Sequence, residues 1–345
     1  MERSSFGGEE IVNWALIGAS TIASQYMISA IRAQASAEVT WVVSGSRERA
    51  VEYARDHRIA NATSDLEDAL GDQATDAVYI SSTNEKHHAQ AMAAIAAGKH
   101  ILCEKPLATS LDNAIEAVRA AESAGVVFAT NHHLRCAGSH RAVRSLVRDG
   151  RIGKVLSLRI FHAVHLPENL RGWRLDNPQA GGGVIPDLTV HNADVARFIL
   201  GEDPQMVSAQ MGISGLGQGV EDSAMSVWRM PSGAMVMSHE SFTHPFAGQG
   251  IEVHGTEGSI FARGVLGQDP VGAIELVTGA GREPVPFDDH DIYAESVRQF
   301  CDAVAGKGAP AATGVDGVKS LTVALAVREA ALTGQRQTIT YEEFA

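Results

Sequence analysis

The stretch Ile17-Gly18-Ala19-Ser20-Thr21-Ile22-Ala23 follows a short apolar run and leads into a helix-like segment. A glycine turn between a strand and a helix can bind phosphate, because the helix start offers unpaired backbone amides. Gly18 and Ala23 fit the first and third positions of the dinucleotide fingerprint, whereas Ser20 stands where a second glycine is usual. The alternative is a strand, turn and helix without a ligand. The predicted cofactor contacts of this loop are Gly18, Ser20, Thr21, Ile22 and Ala23.

Apolar runs alternate with helix-like segments up to about residue 131. The predicted strands cover residues 12–17, 39–43, 77–81, 100–103 and 126–129. The predicted helices cover residues 22–32, 47–57, 88–97 and 112–124. Nearly continuous apolar strands between helices are typical of a parallel sheet that is covered on both faces. We therefore predict an α/β Rossmann domain, a doubly wound parallel sheet, over residues 1–131.

The pattern changes beyond residue 131, where strand-like segments are joined by short turns. Predicted strands lie at residues 155–164, 206–213, 223–230, 234–241 and 251–253, and predicted helices at 190–200, 293–305 and 315–332. Short turns favour antiparallel neighbours. We therefore predict an α+β domain at 132–345 with a large, open, mostly antiparallel sheet, whose C-terminal helices pack back on the first domain. Residues 234–237 are apolar on both strand faces, which predicts a homodimer through this sheet; a monomer is the alternative.

Composition limits the function classes. With 345 residues, 45% hydrophobic and 20% charged, the chain is long enough for two globular domains. A net charge of −13 argues against a nucleic-acid partner and against an anionic membrane surface, since both bind cationic faces. Residues 1–10 have no apolar core, so we expect a frayed tail rather than a secretory signal. We expect a protein without membrane spans.

The three cysteines and the histidines do not form a metal-binding pattern. Cys103, Cys136 and Cys301 are widely spaced, and no His-Glu-x-x-His sequence occurs among the 14 histidines. We therefore predict no metal site. An odd number of dispersed cysteines favours a reducing compartment, and we expect the cytoplasm.

The end of the second predicted strand bears on the choice of cofactor. NAD-preferring enzymes usually carry an acidic residue there, which holds the ribose 2′-hydroxyl. This chain instead has small hydroxyl residues and arginines in Ser44-Gly45-Ser46-Arg47-Glu48-Arg49, and Glu48 is the one conflicting residue. Ser44 and Arg49 are therefore predicted cofactor contacts, with NADPH preferred and NADH the weaker alternative. The competing interpretation is a helix capped by Ser46 with solvated arginines.

Glu104-Lys105-Pro106 follows the strand at 100–103 and reaches the carboxyl edge of the predicted sheet, where ligands bind in open α/β folds. Proline restricts the backbone before it and allows a cis peptide bond. We predict Lys105 to be catalytic and Glu104 to hold it; a solvated surface lysine is the alternative. Residues after the preceding strand belong to the same edge. The predicted cofactor contacts there are Ser82, Asn84, His87, Glu104 and Lys105, with helix capping as the alternative for Asn84.

A second cluster lies in the glycine-rich stretch 181–194, where Asp187 and His191 are four residues apart. That spacing puts two side chains on one face of a helix. A histidine can donate a proton to a carbonyl oxygen, and a carboxylate can orient it. We predict both to be catalytic and to contact substrate; the alternative is an N-cap Asp187 and a buried structural His191. Further predicted substrate contacts are Asn131, His132, His162, Trp173 and Arg174, each with a structural role as the alternative.

These motifs together resemble the glucose–fructose oxidoreductase, inositol dehydrogenase and MocA family (Gfo/Idh/MocA) over residues 12–334. The markers are the loop at 17–23, Asn84-Glu85-Lys86-His87, Glu104-Lys105-Pro106 and the stretch 187–191. Further passages at 130–135, 172–175 and 253–258 resemble a bacterial subgroup of the family. His165 departs from the tyrosine expected in that subgroup.

The resemblance implies NADPH-dependent reduction of the C2 ketone of 1,5-anhydro-D-fructose to 1,5-anhydro-D-mannitol. It implies that Ser20, Ala23, Ser44 and Arg49 select the cofactor and that Lys105, Asp187 and His191 are catalytic. Three alternatives stay open at this point: an NAD-dependent dehydrogenase of a cyclic polyol such as an inositol, a dinucleotide- or sugar-sensing protein without turnover, and an NAD-dependent glycosidase.

Overall fold

The computed structural model describes residues 5–6, 9–10 and 12–344. It divides into two compact units: residues up to His132 together with Tyr293–Gly317, and His133–Ile292 together with residues from Val318 on. Of the predicted frayed tail, residues 1–4 and 7–8 lie outside the described residues. Ser5–Phe6 (β1) and Glu9–Glu10 (β2) pair as two short antiparallel strands.

The first unit contains a six-stranded sheet in which every neighbouring pair of strands is parallel. Its strands are Val12–Ile17 (β3), Ala37–Val43 (β4), Asn61–Thr63 (β5), Ala77–Ile80 (β6), His100–Cys103 (β7) and Phe128–Thr130 (β8). They lie in the order β5-β4-β3-β6-β7-β8. The chain therefore runs outward in both directions from β3, which creates a topological switch point at the carboxyl ends of β3 and β6. The predicted Rossmann fold is confirmed.

Helices connect these strands. They are a π-helical turn at Ala23–Met27, Ile28–Arg32 (α1), Arg47–His57 (α2), Leu66–Gly71 (α3), a 3₁₀ turn at Asn84–Lys86, His87–Ala96 (α4) and Leu111–Ala124 (α5). Local sequence sets their ends. The hydroxyl of Ser46 accepts a hydrogen bond from the Arg49 amide at 3.2 Å and caps α2, as the competing interpretation of this segment predicted. Gly125 ends α5 in the left-handed conformation that glycine favours.

The second unit is built on a nine-stranded sheet in the order β16-β15-β14-β13-β9-β12-β11-β10-β17. Its strands are Val155–Ala163 (β9), Met206–Gly212 (β10), Ser223–Arg229 (β11), Met235–Ser241 (β12), Gln249–Gly255 (β13), Gly258–Arg263 (β14), Ala273–Thr278 (β15), Gly281–Pro284 (β16) and Gln337–Thr338 (β17). The pair β9 and β12 is parallel and the other pairs are antiparallel. This sheet confirms the predicted α+β architecture.

The helices beyond residue 132 are Gly138–Arg148 (α6), Trp173–Asp176 (α7), Val190–Leu200 (α8), Ile292–Val304 (α9) and Gly314–Thr333 (α10), with 3₁₀ turns at His133–Cys136 and Glu168–Leu170 and a π-helical turn at Ile185–Thr189. Part of this C-terminal region lies within the first unit. Phe300 packs its ring 4.9 Å from that of Trp14, and Tyr293 stacks on Tyr26 at 4.9 Å.

Several elements were absent from the prediction: β5, α3, α6 and the three strands β14 to β16. α6 has a narrow apolar stripe, which includes Ala142, Val143 and Leu146, and polar residues elsewhere. Its first residue, Gly138, packs so closely on the backbone of Asp288 that a Cβ there would clash. A helix that begins at a glycine for reasons of tertiary packing carries no local start signal.

A buried ion pair holds α8 to the segment before α6. Asp194 accepts hydrogen bonds from Arg135 Nε at 2.8 Å and from Nη2 at 2.6 Å. The side chains are 1% and 11% exposed, respectively. A buried carboxylate without its partner keeps its desolvation cost, so this pair makes the position of α8 sensitive to either residue.

We predict that Asp194→Ala lowers the free energy of unfolding by about 3–5 kcal/mol, because it removes the carboxylate that pairs with the buried Arg135 guanidinium. Asp56→Ala is the matched control, since Asp56 pairs with Arg55 at 2.8 Å but both side chains are more than half exposed. It should cost at most about 1 kcal/mol. Urea denaturation measures both; similar values for the two variants would contradict the prediction.

Candidate active site

The loop after β3 packs directly on the residues that follow β6. Gly18 has φ +118°, and a Cβ there would lie 2.9 Å from backbone atoms of Ser81 and Ser82. Ser20 replaces the usual glycine and uses its hydroxyl: Oγ lies 2.7 Å from Ser81 Oγ and accepts a hydrogen bond from the Ala23 amide at 3.2 Å. The serine therefore ties the loop to the sheet and caps the helix that follows.

Two side chains of α2 hold the same loop from the other side. Arg49 Nη2 donates to the Ala19 carbonyl at 2.8 Å, and the Tyr53 hydroxyl donates to the Ser20 carbonyl at 3.0 Å. Burial raises the pKa of Tyr53 to about 12, so its hydroxyl keeps its proton at neutral pH. Arg49 is exposed, and its hydrogen bond to the Ala19 carbonyl holds the guanidinium at the loop. Ser44, directly after β4, is buried. A guanidinium beside an exposed helix start fits the phosphates of a dinucleotide.

Glu104 is fixed by hydrogen bonds within the first unit. Its Oε1 accepts from the Tyr79 hydroxyl at 2.6 Å and from Asn131 Nδ2 at 2.7 Å. Burial, followed by the charge of Glu104, raises the pKa of Tyr79 well above its usual value, which keeps Tyr79 a donor. The next peptide bond, Lys105-Pro106, is cis, as the sequence allowed. These contacts set the backbone from which the Lys105 side chain extends.

Asn131 is fully buried, and its amide is engaged on both sides. Besides the bond to Glu104, its Oδ1 accepts from Ser296 Oγ at 3.1 Å. Asn131 therefore supports Glu104. Its predicted contact with a sugar hydroxyl stays a prediction, as does that of His132, which is buried in the same unit.

His87 links the segments that follow β6 and β7. Its Nδ1 lies 2.8 Å from the Pro106 carbonyl oxygen and its Nε2 3.1 Å from the Ser82 carbonyl oxygen. Burial lowers the pKa of His87, while the two carbonyl contacts oppose that shift. Ser82 Oγ donates to Gln90 at 2.6 Å, and Asn84 is buried in the adjoining 3₁₀ turn. The structure thus brings Ser82, Asn84 and His87 to one sheet edge with Glu104.

In the second unit, Glu221 determines where the helix that carries Asp187 and His191 begins. The Val184 amide donates to the Glu221 carbonyl at 2.9 Å, and the Ile185 amide donates to Glu221 Oε1 at 3.2 Å. Burial raises the pKa of Glu221. The proposal that Asp187 caps this helix is therefore wrong, because Asp187 lies inside the first turn and Glu221 occupies the capping role.

Asp187, Arg174 and Trp173 lie together. Arg174 Nε is 3.6 Å from Asp187 Oδ2, its Nη1 donates to the Leu170 carbonyl at 3.2 Å, and its guanidinium carbon lies 4.6 Å above the Trp173 ring. The cation–π contact and the ion pair fix the planar guanidinium in one orientation. An aromatic face beside charged groups is a suitable wall for a polyol.

Three histidines gather around α8. The ring of His191 lies 5.3 Å from that of His133 and 6.3 Å from that of His162. His162 Nδ1 lies 3.1 Å from Asn192 Oδ1, and Asn192 is fully buried. His165, where a tyrosine was expected, is exposed and lies 3.0 Å from Arg171. Of the predicted residues in this unit, His162 and His191 therefore share one cluster.

The glycines before Asp187 have a packing role. A Cβ at Gly182 would lie 2.5 Å from the Trp173 carbonyl oxygen, and one at Gly183 would overlap the Glu221 carboxylate. These glycines therefore allow other parts of the protein, the Trp173 backbone and the Glu221 side chain, to pack closely against them.

Residues of the site that the sequence analysis missed are Glu221, Asn192, Ser238 and Glu240. Strand alternation offered one usable signal. Val236, Ser238 and Glu240 alternate along β12 and all face inward, so a carboxylate occupies a buried position of this strand. Such a residue is unusual enough to mark a site.

Within the part of the chain that the structure describes, no group of three or more His, Cys, Asp and Glu side chains is arranged to hold a metal ion. Within residues 5–6, 9–10 and 12–344, no helix combines the length and apolar character needed to cross a membrane.

Two family models match the chain. The model of an oxidoreductase family with an NAD-binding Rossmann fold matches residues 12–132, and that of the GFO/IDH/MocA C-terminal domain matches residues 140–261. The 1,5-anhydro-D-fructose reductase of Ensifer adhaerens is 50% identical over 323 residues, which are 93% of this chain and 97% of that protein. The chain belongs to the Gfo/Idh/MocA family.

Two further relatives are less similar in sequence. The myo-inositol 2-dehydrogenase of Thermotoga maritima is 30% identical over 79% of this chain and 82% of its own. Among solved structures, an aldose-aldose oxidoreductase from Caulobacter crescentus in complex with glycerol superimposes with a TM-score of 0.88 at 22% identity, covering 96% of this chain and all of that one. This likeness shows the fold. As a Gfo/Idh/MocA member, the chain is an oxidoreductase with an NAD(P)-binding Rossmann domain.

Proposed function

We propose that this Gfo/Idh/MocA oxidoreductase uses NADPH to reduce the C2 ketone of 1,5-anhydro-D-fructose, or of a closely similar sugar, to 1,5-anhydro-D-mannitol. The observation that carries the proposal is the 50% identity to a 1,5-anhydro-D-fructose reductase over nearly its full length. The polar clusters support it, because they supply a lysine, a carboxylate and an imidazole suited to carbonyl chemistry.

When bound, NADPH supplies the hydride that reduces the carbonyl carbon. His191 donates a proton to the carbonyl oxygen, and Lys105 polarises that oxygen through its ammonium charge. Asp187 orients the pair, and Arg174, 3.6 Å from Asp187, restricts the carboxylate to one position. Trp173 and His162 line the polyol site. General acid catalysis of this kind contributes about 10²–10⁴-fold to the rate.

Two features support the preference for NADPH. Arg49 sits beside the loop after β3, and Ser44 replaces the acidic residue usual in NAD enzymes. Glu48, the conflicting residue, is exposed in the first turn of α2. A guanidinium favours a 2′-phosphate, whereas a carboxylate near the ribose repels it.

A second candidate is NAD-dependent oxidation of a cyclic polyol, which the 30% identity to a myo-inositol 2-dehydrogenase favours. A sensing protein without turnover is less compatible with the chain, because a sensor needs no proton donor such as His191. An NAD-dependent glycosidase would retain its cofactor and show no net consumption of NADPH. The three cysteines are free thiols, which suits the reducing cytoplasm that we propose and that cell fractionation would test.

Alanine substitutions test the catalytic residues. Lys105→Ala and His191→Ala should each lower kcat about 10²–10⁴-fold, because each removes a group that stabilises charge on the reacting oxygen. NADPH should still bind, as measured by its fluorescence. The surface variants Lys154→Ala and His88→Ala serve as controls and should keep wild-type turnover. Near wild-type kcat in both site variants would contradict the mechanism.

Cofactor choice has its own test. Arg49→Ala should raise KM for NADPH roughly 10- to 100-fold, because it removes a charge-assisted hydrogen bond to the 2′-phosphate, and should affect NADH far less. Arg55→Ala, in the same helix but with its side chain 70% exposed, is the control. Equal weakening of both cofactors would mean that Arg49 acts solely through the loop carbonyl of Ala19.

We also propose that the outer face of the large sheet pairs with a second copy of the chain. Met225, Val227, Met235 and Met237 alternate along β11 and β12 and are 36–57% exposed. Val227 and Met237 are direct cross-strand neighbours, so their side chains form one continuous apolar patch.

Analytical ultracentrifugation tests this pairing. Wild-type protein should sediment at twice the 36.5 kDa chain mass, and Val227→Lys should sediment at the mass of one chain, because a charge in the buried patch is costly. Val51→Lys, another half-exposed valine but on α2, is the control. A wild-type protein that sediments at the mass of one chain would rule out the dimer.

A further inference from the structure

A chain of buried hydrogen bonds runs from β12 to His162. The parallel pairing of β9 and β12 places His162 directly opposite Glu240. Asn192 of α8 lies over both, with its Nδ2 2.9 Å from Glu240 Oε1 and its Oδ1 3.1 Å from His162 Nδ1. Ser238 completes the set: its Oγ accepts from Asn192 Nδ2 at 3.0 Å and donates to Glu240 Oε1 at 2.5 Å.

Donor and acceptor requirements fix the direction of this chain. An ionised carboxylate accepts hydrogen bonds and donates none, so the atom of Asn192 that faces Glu240 must be its NH₂ group. The amide oxygen of Asn192 then faces His162 Nδ1. An amide oxygen accepts only, and Nδ1 must therefore carry the proton. A neutral His162 with a proton on Nδ1 has an acceptor lone pair on Nε2.

The opposite arrangement requires a protonated Glu240. If Asn192 were turned over, its oxygen would face Glu240 Oε1, which would then have to donate, and His162 Nδ1 would become the acceptor. Burial raises the pKa of Glu240 to about 7, while the hydrogen bonds from Ser238 and Asn192 oppose the shift. At a pH well above that value the carboxylate has no proton to donate. The direction argued above is then the consistent one.

The groups of this hydrogen-bond chain are buried, so the direction of each hydrogen bond is restricted to partners within the protein. Glu240, Asn192 and Ser238 are 0% exposed and His162 is 7% exposed, so water cannot replace these partners freely. The other titratable rings near His162 are His191, 6.3 Å away between ring centres, and His140, whose pKa burial lowers to about 4. His140 is therefore neutral at the pH of the experiment below.

We propose that Glu240 and Asn192 are positioning residues, which hold His162 in the tautomer protonated on Nδ1 so that Nε2 accepts a hydrogen bond from a hydroxyl group of the substrate. The tautomer follows from the hydrogen-bond chain with Glu240 ionised. The contact with a substrate hydroxyl rests on the proposed function.

Nitrogen-15 NMR of the full chain with NADPH bound tests the tautomer, at a pH well above the pKa of Glu240. The His162 signals, assigned by comparison with His162→Phe, should show a protonated Nδ1 and an unprotonated Nε2. Glu240→Gln is the matched control, because its amide oxygen can still accept from Asn192 and Ser238. It should keep this tautomer. Glu240→Met, of similar length but without an acceptor, should shift His162 toward the other tautomer.

Two results would overturn the assignment. One is a proton on Nε2 in the wild-type protein, a measurement that does not depend on any variant folding. The other is an unchanged Nδ1–H tautomer in Glu240→Met, which would reduce Glu240 to a structural residue. Neither depends on substrate identity, so failure here is distinguishable from failure of the proposed function.

Kinetics test the contact with substrate. Glu240→Met should raise KM for 1,5-anhydro-D-fructose roughly tenfold, the value of one hydrogen bond, and change kcat less. In a His162→Phe background the same substitution should have no further effect, because Glu240 acts through His162. Additive effects, or an unchanged KM in Glu240→Met, would overturn the substrate part of the proposal. A wild-type enzyme inactive on this sugar would refute the proposed function and leave the tautomer result to stand by itself.

Discussion

Hydrogen bonding between parallel strands is the constraint on which the first unit depends. Because β3 pairs with β4 on one side and β6 on the other, the segments that follow these strands must emerge at one edge. Gly18 is needed there since a Cβ would meet the backbone after β6 at 2.9 Å. Strand order therefore explains why the loop after β3, the segment with Arg49 and Glu104-Lys105 lie at one edge. In the second unit, a separate cluster lies on α8.

The bounds of an element could be predicted from the sequence where a strong local signal coincided with burial of that element. The strand at His100–Cys103 and the helix at Arg47–His57 match their predicted bounds, because an uninterrupted apolar run and a serine cap are local features. α6 was missed since its first residue is set by contact with Asp288, over a hundred residues away in the chain. The four residues of β16 are all exposed, which leaves no inward-facing apolar position to detect.

In the candidate site, too, some residues could be predicted from the sequence and others could not. The residues that we propose to do the chemistry, such as Lys105 and His191, are marked in the sequence by motif and by position along the chain. Residues that hold those groups are not. Glu221 caps a helix that begins 36 residues before it. Glu240 reaches His162 through Asn192, so three separate elements must first be assembled. Long-range hydrogen bonds leave no trace in local composition, although an inward-facing carboxylate in a strand was a clue.

The central claim is that this oxidoreductase transfers hydride from NADPH to a sugar ketone. The most direct test is turnover of 1,5-anhydro-D-fructose with NADPH that carries deuterium at the transferable position of its nicotinamide, followed by NMR of the product. The account predicts 1,5-anhydro-D-mannitol with deuterium bound at C2, in an amount equal to the NADPH oxidised. A product without deuterium at C2, or no oxidation of NADPH at all, would contradict it.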